Sequence, residues 1–191
     1  SMFREMVEAG CQSAVVETTS HGLALGRVAG MDFDVGVFTN LTRDHLDFHK
    51  TQEAYLASKA LLFDNFKPDA YAVVNVDDSA YSELLTRCRS KVMGYGYSES
   101  ADVRIMDGQT NWRGSKLSLD TPAGTQVIDL ALQGKFNFWN AAAAVATGFA
   151  MGVAPEVIAQ GVREVRVPGR FEIVDEGQPF GVVVDYAHTP A

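Results

Sequence analysis

Cysteine is scarce. The 191 residues hold two, Cys11 and Cys88, far apart and without a C-x-x-C pair. That spacing argues against a disulfide framework or a cysteine-based zinc site and fits a reducing, cytoplasmic setting. Positive charge is also short: 16 Lys and Arg stand against 24 Asp and Glu, a formal net charge of -8. No stretch clusters the cations, so a nucleic-acid or membrane-surface partner has no support, and any anionic ligand must be met by local groups. No apolar run reaches bilayer length, and the opening SMFREMVEAG is charged and amphipathic rather than a signal sequence, so no membrane association is expected. A phosphate loop of the form G-x-x-x-x-G-K-[ST] is lacking as well. The nearest string, GQTNWRGSK, separates Gly108 from Gly114 by five residues, places Ser115 before Lys116 and joins two strands, which makes it a hairpin turn. What is present is an ordinary globular composition, 47% hydrophobic. It is long enough for one sizeable core, or one domain with a fragment of another.

Phe3 to Ala9 reads as the end of an amphipathic helix stopped by Gly10, and SAVVE as a short buried strand ending at Glu17. DVGVFTN is a second strand. Thr51 opens a helix, TQEAYLASKALLFDNF, with Ala57, Ala60 and Leu61 on one face and Pro68 closing it. AYAVVNVDD gives a third strand, a helix follows from about Ser79 to Arg89, and KVMGYG is a fourth strand. This alternation predicts an α/β fold, a mostly parallel sheet flanked by helices. From Asp102 to Leu132 the segments VRIMD, SKLSLD and TQVIDLAL, joined by Gly- and Asn-containing turns, predict a small antiparallel sheet. Two helices, NFWNAAAAVATGFAMG and PEVIAQGVREV, precede PGRFEIVDEGQPFGVVVDYAHTPA, which ends on another buried strand. Residues 1–179 are therefore expected to form one truncated central domain, and 180–191 the first strand of a further one.

Three polar clusters follow strand ends: ETTSH (Glu17 to His21), TNLTRDH (Thr39 to His45) and DYAH (Asp185 to His188). A carboxylate and an imidazole from neighbouring parallel strands could share a hard cation, and magnesium needs only one or two protein ligands beside water and phosphate oxygens. Glu17 and His45 are the candidates, and both could equally be loop residues capping strand and helix ends. His45 and His49 are four apart, yet no Glu or third ligand completes a zinc motif, so His49 reads as a solvent-facing or capping residue. Lys59, in a helix of small and apolar residues, reads on its own as a lysine reaching for water. Asn137 and Asn140 lie three apart at a helix start, where Asn137 reads as an N-cap and Asn140 has no propensity reason to be present. Arg170 follows a Pro-Gly turn as a surface ion-pair partner or a phosphate contact.

In this order, the strings ETTSHGLALGRVAG, DVGVFTNLTRDHLDFHKTQEAYLASKALLF, GKFNFWNAAAA, PGRFE and VVVDYAHTP resemble the Mur ligase family, ATP-dependent enzymes that build the peptidoglycan stem peptide. The resemblance covers nearly the whole chain and is closest to the branch that adds a diamino acid to UDP-N-acetylmuramoyl-L-alanyl-D-glutamate. It implies a phosphate-loop NTPase-like central domain that here lacks the phosphate-loop segment. It also implies ATP and Mg²⁺ as cofactors, and Glu17, His45 and a carbamylated Lys59 as catalytic and metal-holding groups. By the same resemblance Thr19 and Arg27 contact the UDP-muramoyl dipeptide, and Asn137, Asn140, Arg170, Asp185 and His188 contact ATP. The implied partners are that substrate, a diamino acid, and the N- and C-terminal domains found in family members. Thr18-Thr19 replaces the Val-Ser of many relatives and keeps a hydroxyl at Thr19, whereas Leu25 replaces a polar contact. Folylpolyglutamate or cyanophycin synthetase chemistry within the same superfamily, or a non-catalytic nucleotide-binding module, are the alternatives.

Overall fold

The computed structural model describes residues 2–41, 49–64 and 66–186. A six-stranded sheet runs in sequence order from β1 (Val35–Phe38) through β2 (Tyr71–Asn75), β3 (Lys91–Gly96), β4 (Val103–Asn111) and β5 (Gly114–Thr121) to β6 (Gly124–Leu130). The first four strands pair in parallel and the last two pairings are antiparallel. The expected antiparallel strands thus form as an extension of the parallel sheet. A separate two-stranded antiparallel sheet is made by β7 (Glu172–Val174) and β8 (Val182–Val184).

Helices cover both faces. On β2, Val73 points into one layer and Ala72 and Val74 into the other, as a strand buried on both faces requires of an unbroken apolar run. The first layer is built on α5 (Phe136–Ala150) and α6 (Pro155–Glu164), where alanines of AAAAVA share one core with Tyr95, Val103, Leu117 and Ile128. The second is built on α3 (Gln52–Asp64) and α4 (Tyr81–Arg87), with Phe38, Leu56, Ala60, Phe63 and Leu84. On the sheet face under α3, Gly36 leaves room for the Phe66 ring, 2.4 Å from where a Cβ would stand.

The elements of α/β type form where the strings placed them, with three corrections. SAVVE makes no strand: residues 11–19 have no regular structure and Val15 is fully exposed. Among the described residues β1 is hydrogen-bonded to β2 alone, so this stretch finds no ladder for its backbone groups, and an isolated strand has no means to bury them. The core face of α3 is Tyr55, Leu56, Ala60 and Phe63 rather than Ala57, Ala60 and Leu61. Leu56, Ala60 and Phe63 follow the i, i+4, i+7 spacing, and that stripe faces the sheet, leaving Ala57 and Leu61 outside. Finally, β8 is exposed rather than buried, because no helix or second sheet covers it among the described residues. The two short helices α1 (Met2–Glu8) and α2 (Ser20–Ala24) precede the sheet, and α2 packs on α3.

Candidate functional site

The parallel strands end at one edge, and the chain leaving β1 is held there residue by residue. Tyr95 Oη from β3 donates to Phe38 O (3.0 Å), Asn75 Nδ2 from β2 to Thr39 O (2.8 Å), and Lys59 Nζ from α3 to Asn40 O (2.7 Å). Asp78 Oδ2 accepts the Leu41 N–H at 2.8 Å. Four side chains from four places thus fix four consecutive residues of FTNL, which leads directly into the segment bearing His45. His45 lies outside the described residues. The clamp is itself braced, since Asn75 Oδ1 accepts from Asp77 N and Asp78 Oδ1 from Ala80 N. Asn75, Asp78 and Tyr95 were not singled out by sequence; the signal was the polar NVDD that ends an apolar strand.

Burial, and after it the nearby Asp78 and Asp77 carboxylates, push the Tyr95 hydroxyl far above its ordinary value of 10.0. It therefore stays protonated and keeps donating to Phe38 O. In alkali the unfolded chain releases this proton near pH 10 while the folded chain retains it, so the folded state binds more protons and stability falls as pH rises above that value. Tyr95→Phe should remove this share of the alkaline loss and cost about 1 kcal/mol at neutral pH. Urea titrations of both proteins at pH 7 and pH 11 read both effects.

Lys59 does not simply reach for water. Its Nζ lies 4.9 Å from the Tyr55 ring centroid and 5.8 Å from that of Phe38, over the strand exit. Thr19 caps α2, its Oγ1 accepting the Gly22 N–H at 3.0 Å. A Cβ on Gly22 would stand 3.3 Å from Thr19 Oγ1 and 3.7 Å from Arg27 Cδ, so both side chains flank the bare glycine. Glu17 is exposed two residues before the cap, and Leu25 is exposed just after the helix.

His49 is the clearest departure from expectation. It is buried, with Nε2 2.9 Å from Ser20 Oγ and Nδ1 3.4 Å from Ser58 Oγ, and its ring stacks on Tyr55. Ser20, 29 residues away, supplies a partner that makes burial of an imidazole tolerable.

A second group gathers where α5 begins. Asn137 is not an N-cap: it sits inside the first turn, its Nδ2 donating to Gln133 O (2.6 Å) and its Oδ1 accepting from Asn140 Nδ2 (3.0 Å). The amide reaches back to the turn before the helix, and the two asparagines do face one another as their spacing implied. Gln133 also lines a cavity of about 280 Å³ with Arg113, Arg166 and Arg170. Arg113 lies on the Trp112 ring (4.5 Å) and Arg170 on that of Tyr186 (5.0 Å). Stacking occupies a guanidinium face and leaves its N–H edge for an anion. Among the described residues no carboxylate pairs with any of the three. Asp185 accepts the Phe171 N–H (2.7 Å), tying the outer ends of β7 and β8 beside Arg170. His188 lies outside the described residues.

The model of the Mur ligase middle domain matches residues 1–148. The chain belongs to the Mur ligase family. A UDP-N-acetylmuramoyl-L-alanyl-D-glutamate--2,6-diaminopimelate ligase of Solibacter usitatus is 46% identical, over 98% of this chain and 39% of the relative. The enzyme of the same name from Bacillus velezensis is 45% identical over 98% of this chain and 40% of its own length. A solved structure bearing that name superposes with a TM-score of 0.84 at 31% identity, covering 97% of this chain and 39% of that one. A MurF ligase from Thermotoga maritima in complex with ADP, 20% identical with a TM-score of 0.68, shares the fold. This Mur ligase chain thus spans about 40% of the length of the curated relatives it matches.

Proposed function

We propose that this chain supplies the nucleotide- and metal-binding part of an ATP-dependent amide ligase that joins 2,6-diaminopimelate to UDP-N-acetylmuramoyl-L-alanyl-D-glutamate. The observation that carries this reading is the clamped exit of β1, where Lys59 and the backbone of Thr39 to Leu41 are held together at the carboxyl edge of a parallel sheet. Ligands of open α/β sheets bind at that edge. The relatives' names supply the substrates. Residues 1–179 are read as the central domain and 180–191 as the first strand of a following one, a boundary that runs between the paired strands β7 and β8.

In the proposed reaction the side-chain carboxylate of the substrate's glutamate takes the γ-phosphoryl group of ATP, giving an acyl phosphate and ADP. The amine of the diamino acid then attacks the acyl carbon, phosphate leaves, and the amine loses a proton as the amide forms. Two anions meet in the first step, so the protein's work is charge neutralisation and alignment. Thr19 and Arg27, side by side across Gly22, hold the substrate end. Asn137, Asn140, Arg170, Asp185 and His188 hold the nucleotide, with Arg170 presenting a guanidinium edge that no carboxylate among the described residues pairs with.

Among the described residues no three His, Cys, Asp or Glu side chains converge on one point. Magnesium keeps several waters and is shared with phosphate oxygens, so it needs few protein ligands. The exposed Glu17 carboxylate and a carbamate on Lys59 are hard oxygen donors of the right kind, and His45 is the third candidate. Bound there, magnesium would neutralise phosphate charge.

The test is a chimera in which this chain replaces the 46%-identical segment of the Solibacter usitatus ligase. It should form ADP and the diaminopimelate adduct together, read by coupled assay and mass spectrometry. ADP formation that depends instead on folylpolyglutamate or cyanophycin substrates, or a folded chimera that only binds Mg·ATP, would overturn the reading. The 191-residue chain alone should form ADP at background rate even with both substrates, because it has no G-x-x-x-x-G-K-[ST] string to cradle a triphosphate.

A further inference from the structure

The buried imidazole of His49 has no part in the reaction just described, yet it sits between that reaction's two halves. Its Nε2 meets Ser20, the first residue of α2 and the neighbour of Thr19; its Nδ1 meets Ser58, the neighbour of Lys59 on α3. The directions of these bonds follow from counting hydrogens. Ser58 Oγ lies 2.9 Å from Ala54 O against 3.4 Å from His49 Nδ1, which assigns its single hydroxyl hydrogen to the carbonyl. Ser58 Oγ therefore faces His49 as an acceptor, and Nδ1 carries the hydrogen. In the neutral ring Nε2 then accepts from the Ser20 hydroxyl. Ser20, His49, Ser58 and Ala54 form one directed chain across the packed faces of α2 and α3. Tyr55 stacks on the same ring at 5.1 Å and also underlies the Lys59 ammonium at 4.9 Å, a second route to that lysine. His21 lies tilted 5.3 Å from the ring on the α2 side.

We propose that His49 is a positioning residue: through Ser20 and Ser58 it holds Thr19, on the muramoyl-substrate side, in fixed register with Lys59, on the phosphate side. A purely apolar side chain of similar volume would keep the helices packed and leave that register loose. Its consequence for turnover rests on the function proposed above, whereas the coupling itself belongs to this chain and is measurable without any ligand.

The first experiment therefore uses the 191-residue chain alone and follows exchange of the Gly22 N–H, which donates to Thr19 Oγ1. Ser58→Ala removes a hydroxyl on the other helix. With His49 present it should speed exchange at Gly22 roughly fivefold, as expected when one hydrogen bond of a coupled chain is lost. In a His49→Leu background the same change should have no further effect. ¹⁵N NMR of the histidine-labelled chain should show the Nδ1–H form. An Nε2–H tautomer, or a Ser58→Ala effect at Gly22 that persists in His49→Leu, overturns the proposal. In the chimera, His49→Leu should lower kcat at least roughly tenfold with KM for ATP unchanged, since small misplacements of reacting groups are costly. Gln, which reaches towards Ser20, and Asn, which reaches towards Ser58, should each restore part of it. Equal kcat for His49→Leu and wild type would reduce His49 to core filling. A wild-type chimera that does not ligate would sink the proposed function while leaving the exchange result to decide this one.

Discussion

Lys59→Ala in the chimeric ligase is expected to lower kcat roughly 10²- to 10³-fold, the usual cost of losing one preorganised charge-stabilising group. Lys59→Arg should do no better. The arginine can still donate to Asn40 O, so it separates two roles that the structure superimposes on one side chain. As an amine, Lys59 anchors the β1 exit and lies over the Tyr55 and Phe38 rings. As a carbamate it would give up the cation–ring attraction, about 0.5–1 kcal/mol at an exposed site. The carbamate nitrogen would keep one hydrogen, enough to hold Asn40 O, and its two oxygens would be free to meet metal and phosphate. Anchoring alone predicts an active arginine variant; the carbamate predicts an inactive one. ADP release from both variants, with ¹³C NMR of the wild-type chain in ¹³C-bicarbonate, distinguishes these outcomes. A carbonyl signal present in wild type and absent in Lys59→Arg is the expected result.

Legibility in the sequence tracked how local the cause was. AYAVVNVDD reads as a buried strand because the apolar run AYAVV lies between Asp69 and Asn75, and β2 forms there. KVMGYG and the alanine-rich α5 were equally plain. SAVVE has the same local texture, yet what makes a strand is a neighbour, and among the described residues none pairs with it. The core face of α3 differs from its sequence pattern for a related reason: Ala57 and Leu56 are adjacent, and only the sheet beneath decides which one is covered. At the site, the resemblance brought Lys59 into view, but its hold on Asn40 depends on a strand 19 residues earlier. The burial of His49 is not legible in the string because it rests on two serines distant in sequence, Ser20 most of all. Tyr95, Asn75 and Asp78 escaped for the same reason, since each serves the backbone of another element.

Phe138→Ala should destabilise the chain by about 3–5 kcal/mol, the range for deleting a fully buried phenylalanine. Against an ordinary total of about 5–15 kcal/mol, that is a large part of the stability. Phe138 is 1% exposed and rests on Gly108 of β4, where a Cβ would come within 2.4 Å of the ring. Gly108→Ala should therefore also destabilise, by overpacking rather than by a void. Because the defects are opposite in sign and share one contact, their costs should not add, and the double variant should lie closer to Phe138→Ala than the sum. Urea unfolding of the four proteins gives the coupling directly. The contact also bears on function: Phe138 lies between Asn137 and Asn140 on the first turn of α5, and its ring is what pins that turn to the sheet. Loss of the ring should thus loosen the Asn137–Gln133 bond at the edge of the arginine-lined cavity. Mg·ATP affinity of the chimera, measured where Phe138→Ala is still folded, should fall further than it does for a destabilising change elsewhere in the same core, such as Val103→Ala. Equal affinities for the two variants would separate the nucleotide site from the packing of α5.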